Sequence, residues 1–239
     1  MTDSFTINVD GRDIQATKGQ TILEAAEAAG IYIPRLCHHP ELKPHGSCRI
    51  CTVIANGRSC TSCTQPAEPD MEVQNNHPQV EMWRKQLIEM LFVEGNHFCP
   101  FCEKSGGCEL QALGYRHGLT ATQHPHLFPR REIDATHPDI MVDHNRCVLC
   151  GRCVRASRDV DGKRVFQFVE RGPEKRVAVN SDAKLSRTDV DLTDKAVGVC
   201  PVGAILPKRQ GYVAPVGARE FDHTPIGTSV EGGNGSLEV

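Results

Sequence analysis

The sequence predicts an α+β fold made of three small modules and a C-terminal tail. A β-hairpin pattern followed by a capped helix opens the chain, a helical repeat of apolar residues follows near residue 80, and twelve cysteines fall into three groups. Only 39% of the 239 residues are hydrophobic and 5% aromatic, so one large core is not expected. Metal centres can substitute for missing core in modules of this size.

Composition excludes several classes of protein. The first four residues lack the basic and apolar segments of a secretory signal, and no apolar run approaches the length of a membrane span. The net charge of −3 gives no sign of the basic surface that nucleic-acid-binding proteins usually have. We therefore expect a cytoplasmic protein with no nucleic-acid partner and no membrane span, in which clustered cysteines are metal ligands rather than disulfides.

The first module begins as a β-grasp arrangement. Residues 5–9 alternate in polarity, and residues 13–17 can return beside them after a two-residue turn. Thr21 then caps a helix that runs through residue 29, and Glu24 completes a capping box. A hairpin crossed by a helix is the start of a β-grasp domain.

Four cysteines in this module suit a [2Fe–2S] cluster, because two irons need four thiolates. Ten, two and eleven residues separate them, whereas plant-type ferredoxins have only four residues before the Cys-x2-Cys pair, so this is a longer-loop relative. A strand is predicted at 52–55. Cys60 is the alternative to Cys63 as the fourth ligand; we prefer Cys63 for its separation and interpret Cys60 as a small buried residue. The predicted ligands are Cys37, Cys48, Cys51 and Cys63.

A helix predicted over residues 78–93 leads into the second group. Its apolar residues recur at helical spacing, and Trp83 and the nearby methionines are interpreted as core. Three cysteines follow, one ligand short of a [4Fe–4S] set, and a neutral imidazole can complete it while raising the potential. Three other histidines, His117, His124 and His126, are alternatives whose spacing favours surface positions. The predicted ligands are His97, Cys99, Cys102 and Cys108.

A short helix is predicted over residues 109–115, and a polar linker over 117–138.

The third group of cysteines has Cys-x2-Cys-x2-Cys spacing with a distant Cys-Pro, the ligand run of a bacterial-type [4Fe–4S] cluster. Structural zinc also uses Cys-x2-Cys pairs, but a third cysteine in the same register has no role at one tetrahedral ion. Ser157 stands where a two-cluster ferredoxin has another cysteine, so this module is predicted to hold one cluster. The predicted ligands are Cys147, Cys150, Cys153 and Cys200.

Regular elements are also predicted around the third group. Residues 140–142 form a strand, residues 165–169 and 176–179 form a hairpin, and residues 191–199 form a helix that carries Cys200 to the cluster. After residue 212 the composition shifts to Gly, Pro and Ser with few large apolar residues, so we expect a tail that orders only against a partner.

The ligand sets define the predicted modules. They are a β-grasp [2Fe–2S] ferredoxin-like domain (1–76), a small helical module with a one-histidine, three-cysteine cluster (77–117), a ferredoxin-like [4Fe–4S] domain (138–210) and a partner-docking or disordered tail (211–239). One [2Fe–2S] and two [4Fe–4S] clusters use eleven of the twelve cysteines. The sequence has no G-x-G-x-x-G, no P-loop and no recognisable catalytic group. We therefore expect an electron conductor without catalytic residues of its own.

The order of these modules resembles the N-terminal part of the large iron–sulfur subunit of respiratory complex I and the accessory domains of [FeFe]-hydrogenases, over residues 1 to about 210. The closest resemblance is to the diaphorase small subunit (HoxU) of NAD-reducing soluble [NiFe]-hydrogenases. It rests on residues 94–100 (EGNHFCP), 103–106 (EKSG) and 153–157 (CVRAS), and on the short C-terminus. The complex I subunits leave three residues between the histidine and the first cysteine, whereas only Phe98 intervenes here.

The resemblance implies a set of partners. A flavin- and NAD-binding diaphorase large subunit would carry FMN and bind NAD, the small and large [NiFe]-hydrogenase subunits would handle H₂, and this chain would connect them. The [2Fe–2S] module is expected near the flavoprotein, and the C-terminal [4Fe–4S] module is the natural candidate to face the hydrogenase. The alternative is an equivalent relay subunit of an NAD-dependent formate dehydrogenase or a complex I-like enzyme.

Overall fold

The computed structural model describes residues 4–182 and 184–232. These residues form three sheets with helices between and around them. The elements follow in the order β1 (Ser4–Val9), β2 (Arg12–Thr17), α1 (Ile22–Ala28), β3 (Thr52–Ala55), β4 (Arg58–Thr61), β5 (Glu72–Gln74), α2 (Pro78–Glu94), α3 (Glu109–Arg116), β6 (Ile133–Asp134), β7 (Ile140–Asp143), α4 (Arg152–Asp159), β8 (Phe166–Val169), β9 (Arg176–Val179), α5 (Lys195–Gly198), β10 (Ile205–Pro207) and α6 (Thr228–Glu231).

The N-terminal sheet has the order β2-β1-β5-β3-β4, with β1 antiparallel to β2 and parallel to β5. The predicted hairpin is confirmed, and its turn residues Asp10 and Gly11 both have positive φ. The capping box of α1 is also confirmed. The Thr21 amide donates to the Glu24 carboxylate at 2.7 Å, and the Glu24 amide donates to the Thr21 hydroxyl at 3.3 Å. The sheet and α1 enclose one hydrophobic core.

Helix α2 is attached to the N-terminal sheet by the buried side chain of Arg84. Arg84 is 1% exposed and donates to the backbone carbonyls of Ile50, Thr52 and Asn75 at 3.0–3.3 Å. The expectation that the methionines near Trp83 are core is wrong for Met82 and Met90, which are 47% and 48% exposed. The buried face of α2 instead includes Arg84 and Glu89, because each finds backbone partners inside.

The buried carboxylate of Glu89 holds the linker that follows α3. The Glu89 carboxylate accepts the backbone N–H groups of Gln123 and His124, the latter at 2.6 Å. The linker also contains β6, an unpredicted strand that pairs with β7. An acceptor in a helix thus fixes a segment that composition alone describes as irregular.

The third module is built on the β10-β7-β6 sheet and the predicted β8–β9 hairpin. The helix predicted over 191–199 is shorter than expected and reduces to α5. The Asp191 carboxylate accepts the Thr193 amide at 2.9 Å, and the Asp194 carboxylate accepts the Asp191 amide at 2.8 Å, so these residues form turns before the helix begins. Helix α4 was not predicted.

Residues 211–218 are exposed, and some residues of the segment 211–232 contact the rest of the chain. The Phe221 amide donates to the Gly106 carbonyl at 2.8 Å, and Glu231 in α6 pairs with Arg116 at 2.5 Å. Residues 233–239 of the predicted tail lie outside the described residues. Within the described ranges, no helix is both long enough and apolar enough to cross a bilayer.

Candidate iron–sulfur sites

The first predicted set comes together beneath the edge of the N-terminal sheet. Cys37, Cys51 and Cys63 are buried, and the Cys37 amide donates to the Cys48 sulfur at 3.4 Å. Hydrogen bonds join the Cys37 thiol to Cys48 and Cys63, and they lower the pKa of Cys37 while raising that of Cys63. Cys63 also contacts the Cys51 thiol, so contacts link all four sulfurs, the donor set that a [2Fe–2S] cluster requires.

The alternative fourth ligand, Cys60, lies apart from these sulfur contacts. It is on β4 opposite Val53 and packs at the margin of the sheet core, half-buried rather than buried as predicted. Burial raises the pKa of its thiol. Hydrogen bonds connect Cys63, by contrast, to both Cys37 and Cys51, and this geometry favours Cys63 as the ligand.

The second predicted set lines one small cavity between the end of α2 and the start of α3. Cys99 begins a single 3₁₀ turn, and Cys108 is the residue that precedes α3. Gly203 closes the cavity from the third module, where an added β-carbon would lie 2.7 Å from the Cys102 sulfur. The lining residues are Phe92, His97, Phe98, Cys99, Cys102, Ser105, Cys108, Gln111, Arg146 and Gly203.

His97 has the properties of a neutral ligand in this cavity. Its imidazole hydrogen-bonds the Leu91 backbone, whereas its buried Nε2 has no partner among the residues the structure describes. Burial lowers its pKa to about 4, with Arg131 and Arg146 acting in the same direction, so the ring is uncharged at neutral pH. A ring held through one nitrogen, with the other nitrogen unpartnered, in a cavity lined by three thiols, fits an iron ligand.

The other histidines are placed differently. His117 is buried and its Nδ1 pairs with the Glu81 carboxylate at 2.9 Å, so its expected surface position is wrong. His124 and His126 are exposed, as expected. None of the three lines the cavity around Cys99, Cys102 and Cys108.

The third predicted set lines a second small cavity, together with several apolar side chains. Gly151, with φ of 68°, turns the loop between Cys150 and Cys153 and starts α4. An added β-carbon there would lie 3.1 Å from the Phe168 ring, so a side chain would be crowded as well as strained. The lining residues are Val142, His144, Cys147, Val148, Cys150, Gly151, Cys153, Val177, Cys200, Val202, Ala204 and Ile205.

The electrostatics of these thiols suit a metal cluster. All twelve cysteines are free, and burial raises the pKa of Cys108 and Cys150 to about 12 and that of Cys147 to about 11. Such thiols stay protonated in water-free surroundings unless a bound cation stabilises the thiolate. Within the described ranges, no group of three or more His, Cys, Asp or Glu side chains has the arrangement to hold a single metal ion.

Polar contacts attach the third set to both of the others. Arg152 in α4 makes two hydrogen bonds, of 2.5 and 2.7 Å, to Glu109, the residue after Cys108, and the Glu109 amide donates to the Pro201 carbonyl beside Cys200 at 2.9 Å. Arg155, also in α4, donates to the Cys37 carbonyl at 2.5 Å. Sequence reasoning missed these arginines. Arg152 and Arg155 are three residues apart and flank Cys153, which places them on neighbouring positions of a helix. That spacing was the available signal, but it does not identify Glu109 and Cys37 as their partners.

Family models match the three modules in turn. Residues 2–78 match a 2Fe-2S iron–sulfur cluster binding domain, residues 84–123 match the NADH-ubiquinone oxidoreductase-G iron–sulfur binding region, and residues 137–206 match the ferredoxin-like domain of NADH-quinone oxidoreductase subunit 3. These matches support the mixed α and β fold with [2Fe–2S] and ferredoxin-like [4Fe–4S] domains.

Individual relatives agree with the family models. The chain is 39% identical to the gamma subunit of the NAD-reducing hydrogenase HoxS of Cupriavidus necator, over 92% of this chain and 94% of the relative. It is 30% identical to the mitochondrial NADH-ubiquinone oxidoreductase 78 kDa subunit of Neurospora crassa, over 87% of this chain but only 28% of that relative. The chain therefore spans little more than a quarter of the NADH-ubiquinone oxidoreductase subunit.

A solved structure matches at the level of the fold. A crystal structure of an NAD⁺-reducing [NiFe]-hydrogenase in the H₂-reduced state contains a chain 50% identical to this one, with a TM-score of 0.90 and coverage of 92% and 94% of the two chains. The HoxS subunit and the chain in this crystal structure each resemble this chain over almost the full length of both partners in the comparison. The chain thus belongs to the family of iron–sulfur electron-transfer subunits of NAD-reducing hydrogenases, which is related to the large iron–sulfur subunit of complex I.

Proposed function

We propose that this chain relays electrons between a flavin- and NAD-binding diaphorase large subunit and the small and large subunits of a cytoplasmic [NiFe]-hydrogenase. The observation that carries the proposal is the connected arrangement of the three predicted ligand sets, in which the third contacts both of the others. FMN and NAD would be bound by the partner subunits only. This chain would contribute no catalytic residue.

The cofactors would be one [2Fe–2S] and two [4Fe–4S] clusters, which exchange single electrons when bound. Cys37, Cys48, Cys51 and Cys63 would hold the first. The second would be held by His97, Cys99, Cys102 and Cys108, and the third by Cys147, Cys150, Cys153 and Cys200. The buried free Nε2 of His97 and the raised pKa values of the buried thiols support these assignments.

We infer that the order of the sites in space differs from their order in sequence. The polar contacts favour a third set that would lie between the other two, since Arg155 links it to Cys37, and Arg152 and Glu109 link it to Cys108. The set containing His97 would then be the far end of the relay. Its neighbours Phe98 and Phe101 are 64% and 66% exposed and stack on each other, as expected for a surface that a partner covers. This order favours the His97 module, rather than the C-terminal module expected from sequence, as the one that faces the hydrogenase.

An equivalent relay subunit of a complex I-like enzyme or an NAD-dependent formate dehydrogenase is the second candidate. The match to NADH-ubiquinone oxidoreductase subunits over 87% of this chain supports it. The two candidates share the clusters and differ in the partner that supplies or accepts electrons.

Anaerobic purification of the native complex from cells, followed by metal and flavin analysis, separates these candidates. We expect nickel and FMN to co-purify with this chain, together with H₂-dependent reduction of NAD⁺. Molybdenum with formate-dependent activity, and no nickel, would assign the chain to a formate dehydrogenase. Neither metal, with quinone-linked activity, would indicate a complex I-like assembly.

A further inference from the structure

Arg155 in α4 is a buried side chain that touches two ligand loops at once. It is 5% exposed. One terminal nitrogen donates to the Cys37 carbonyl at 2.5 Å and approaches the Cys150 carbonyl at 3.5 Å. The other donates to the Lys43 carbonyl at 2.5 Å, and Nε donates to the Gly151 carbonyl at 3.2 Å. Cys37 belongs to the first predicted set and Cys150 to the third.

The charge of this guanidinium is not paired with a carboxylate in the part of the chain that the structure describes. All four of its acceptors are neutral carbonyls, and within residues 4–182 and 184–232 no carboxylate lies within ion-pair distance of it. An arginine side chain stays protonated even when buried, so a full positive charge remains inside the protein. Such a charge requires compensation from nearby negative groups.

The ionisable groups around Arg155 identify the compensating charge. The sulfurs of Cys37, Cys150 and Cys153 lie near enough that, as thiolates holding a cluster, they would stabilise its charge. Of the other charged or titratable neighbours, Arg152 is neutralised by Glu109, Asp159 pairs with Arg158 at 2.7 Å, and burial lowers the pKa of His45. Negative charge on the thiolates of the first and third sets is therefore what remains to balance Arg155.

We propose that Arg155 is a counter-ion shared by the [2Fe–2S] site and the central [4Fe–4S] site, which raises the reduction potential of both and fixes the separation of their ligand loops. This proposal rests on the ligand sets proposed above. Reduction adds one electron, and thus one negative charge, to a cluster. A fixed positive charge in a low-dielectric interior stabilises that added charge, so it raises the potential of any cluster beside it. Arg155 is thus a positioning residue that lies between the ligand loops of two proposed neighbouring clusters.

The test is a redox titration followed by electron paramagnetic resonance on the intact complex. Two neutral variants, Arg155→Gln and Arg155→Met, remove the charge, and Arg155→Lys keeps it. Arg158→Met is the matched control, because Arg158 is on the same helix but 51% exposed and paired with Asp159. We expect the neutral variants to lower the potentials of the [2Fe–2S] cluster and of one [4Fe–4S] cluster, and to leave the other [4Fe–4S] cluster unchanged. Arg155→Lys should keep both potentials close to those of the unmodified protein, and Arg158→Met should shift none.

Each other outcome bears on the proposal. Neutral variants that load all three clusters with unchanged potentials, or with only one shifted, would overturn it while leaving the relay function intact. If the neutral variants lose the first and third clusters but Arg155→Lys retains them, the charge is required and the proposal stands. If Arg155→Lys loses them as well, the arginine acts by shape alone and the counter-ion role is rejected. Unmodified protein without three cluster signals would refute the ligand sets themselves.

Discussion

Replacing Cys150 by alanine is expected to abolish H₂-driven NAD⁺ reduction in the complex while leaving both terminal half-reactions intact. Cys150 is buried and belongs to the proposed ligand set that contacts both of the others, so removing its thiolate would remove the proposed central cluster. Iron should fall from about ten to about six atoms per chain, because one four-iron cluster is lost. H₂ oxidation and NADH oxidation with artificial dyes measure the two half-reactions separately.

The matched control is Cys60→Ala, which removes the one cysteine outside the proposed ligand sets. It should keep the iron content, the spectra and the full reaction, since Cys60 packs at the sheet margin away from the sulfur contacts of Cys63. Full H₂-driven NAD⁺ reduction by Cys150→Ala would show that electrons bypass the central site. Loss of the [2Fe–2S] signal in Cys60→Ala would instead make Cys60 the fourth ligand.

Replacing His97 by alanine is expected to change the magnetic resonance signal of one [4Fe–4S] cluster only. His97 lines the same cavity as Cys99, Cys102 and Cys108, and its imidazole is the proposed fourth ligand, so its loss would leave that cluster with three protein ligands. We expect the cluster either to be lost, with iron falling to about six per chain, or to persist with an altered signal. The [2Fe–2S] signal and the other [4Fe–4S] signal should be unchanged.

A cysteine at the same position provides a second arm of this test. His97→Cys should rebuild a four-ligand site, but a thiolate in place of a neutral imidazole makes the cluster more negative and should lower its potential. His124→Ala is the control, because His124 is exposed and lies outside the cavity. If His97→Ala and His97→Cys, like His124→Ala, have the spectra and potentials of the unmodified protein, His97 is not a cluster ligand.

Local signals in the sequence predicted the parts of the fold that depend on neighbouring residues. The hairpin turn at Asp10 and Gly11 and the capping box of Thr21 and Glu24 involve residues at most three apart, and both appear as expected. The grouping of cysteines at two-residue gaps is equally local, and the structure brings each predicted ligand set together. Such features depend little on the rest of the chain.

The parts that the sequence did not predict depend on distant partners. Arg84 and Glu89 occupy the buried face of α2 because backbone groups of Thr52 and Gln123, more than thirty residues away, accept or donate to them. Hydropathy alone assigns such charges to the surface. The contact between the third set and the first likewise depends on Arg155 reaching the Cys37 carbonyl, across a separation of 118 residues.

Anaerobic purification, followed by iron and zinc analysis and electron paramagnetic resonance on the reduced protein, tests the central claim most directly. If three ligand sets hold one two-iron and two four-iron clusters, iron should be about ten atoms per chain, zinc should be absent, and three distinct cluster signals should appear. A colourless preparation that contains zinc, little iron and no cluster signal would contradict the account.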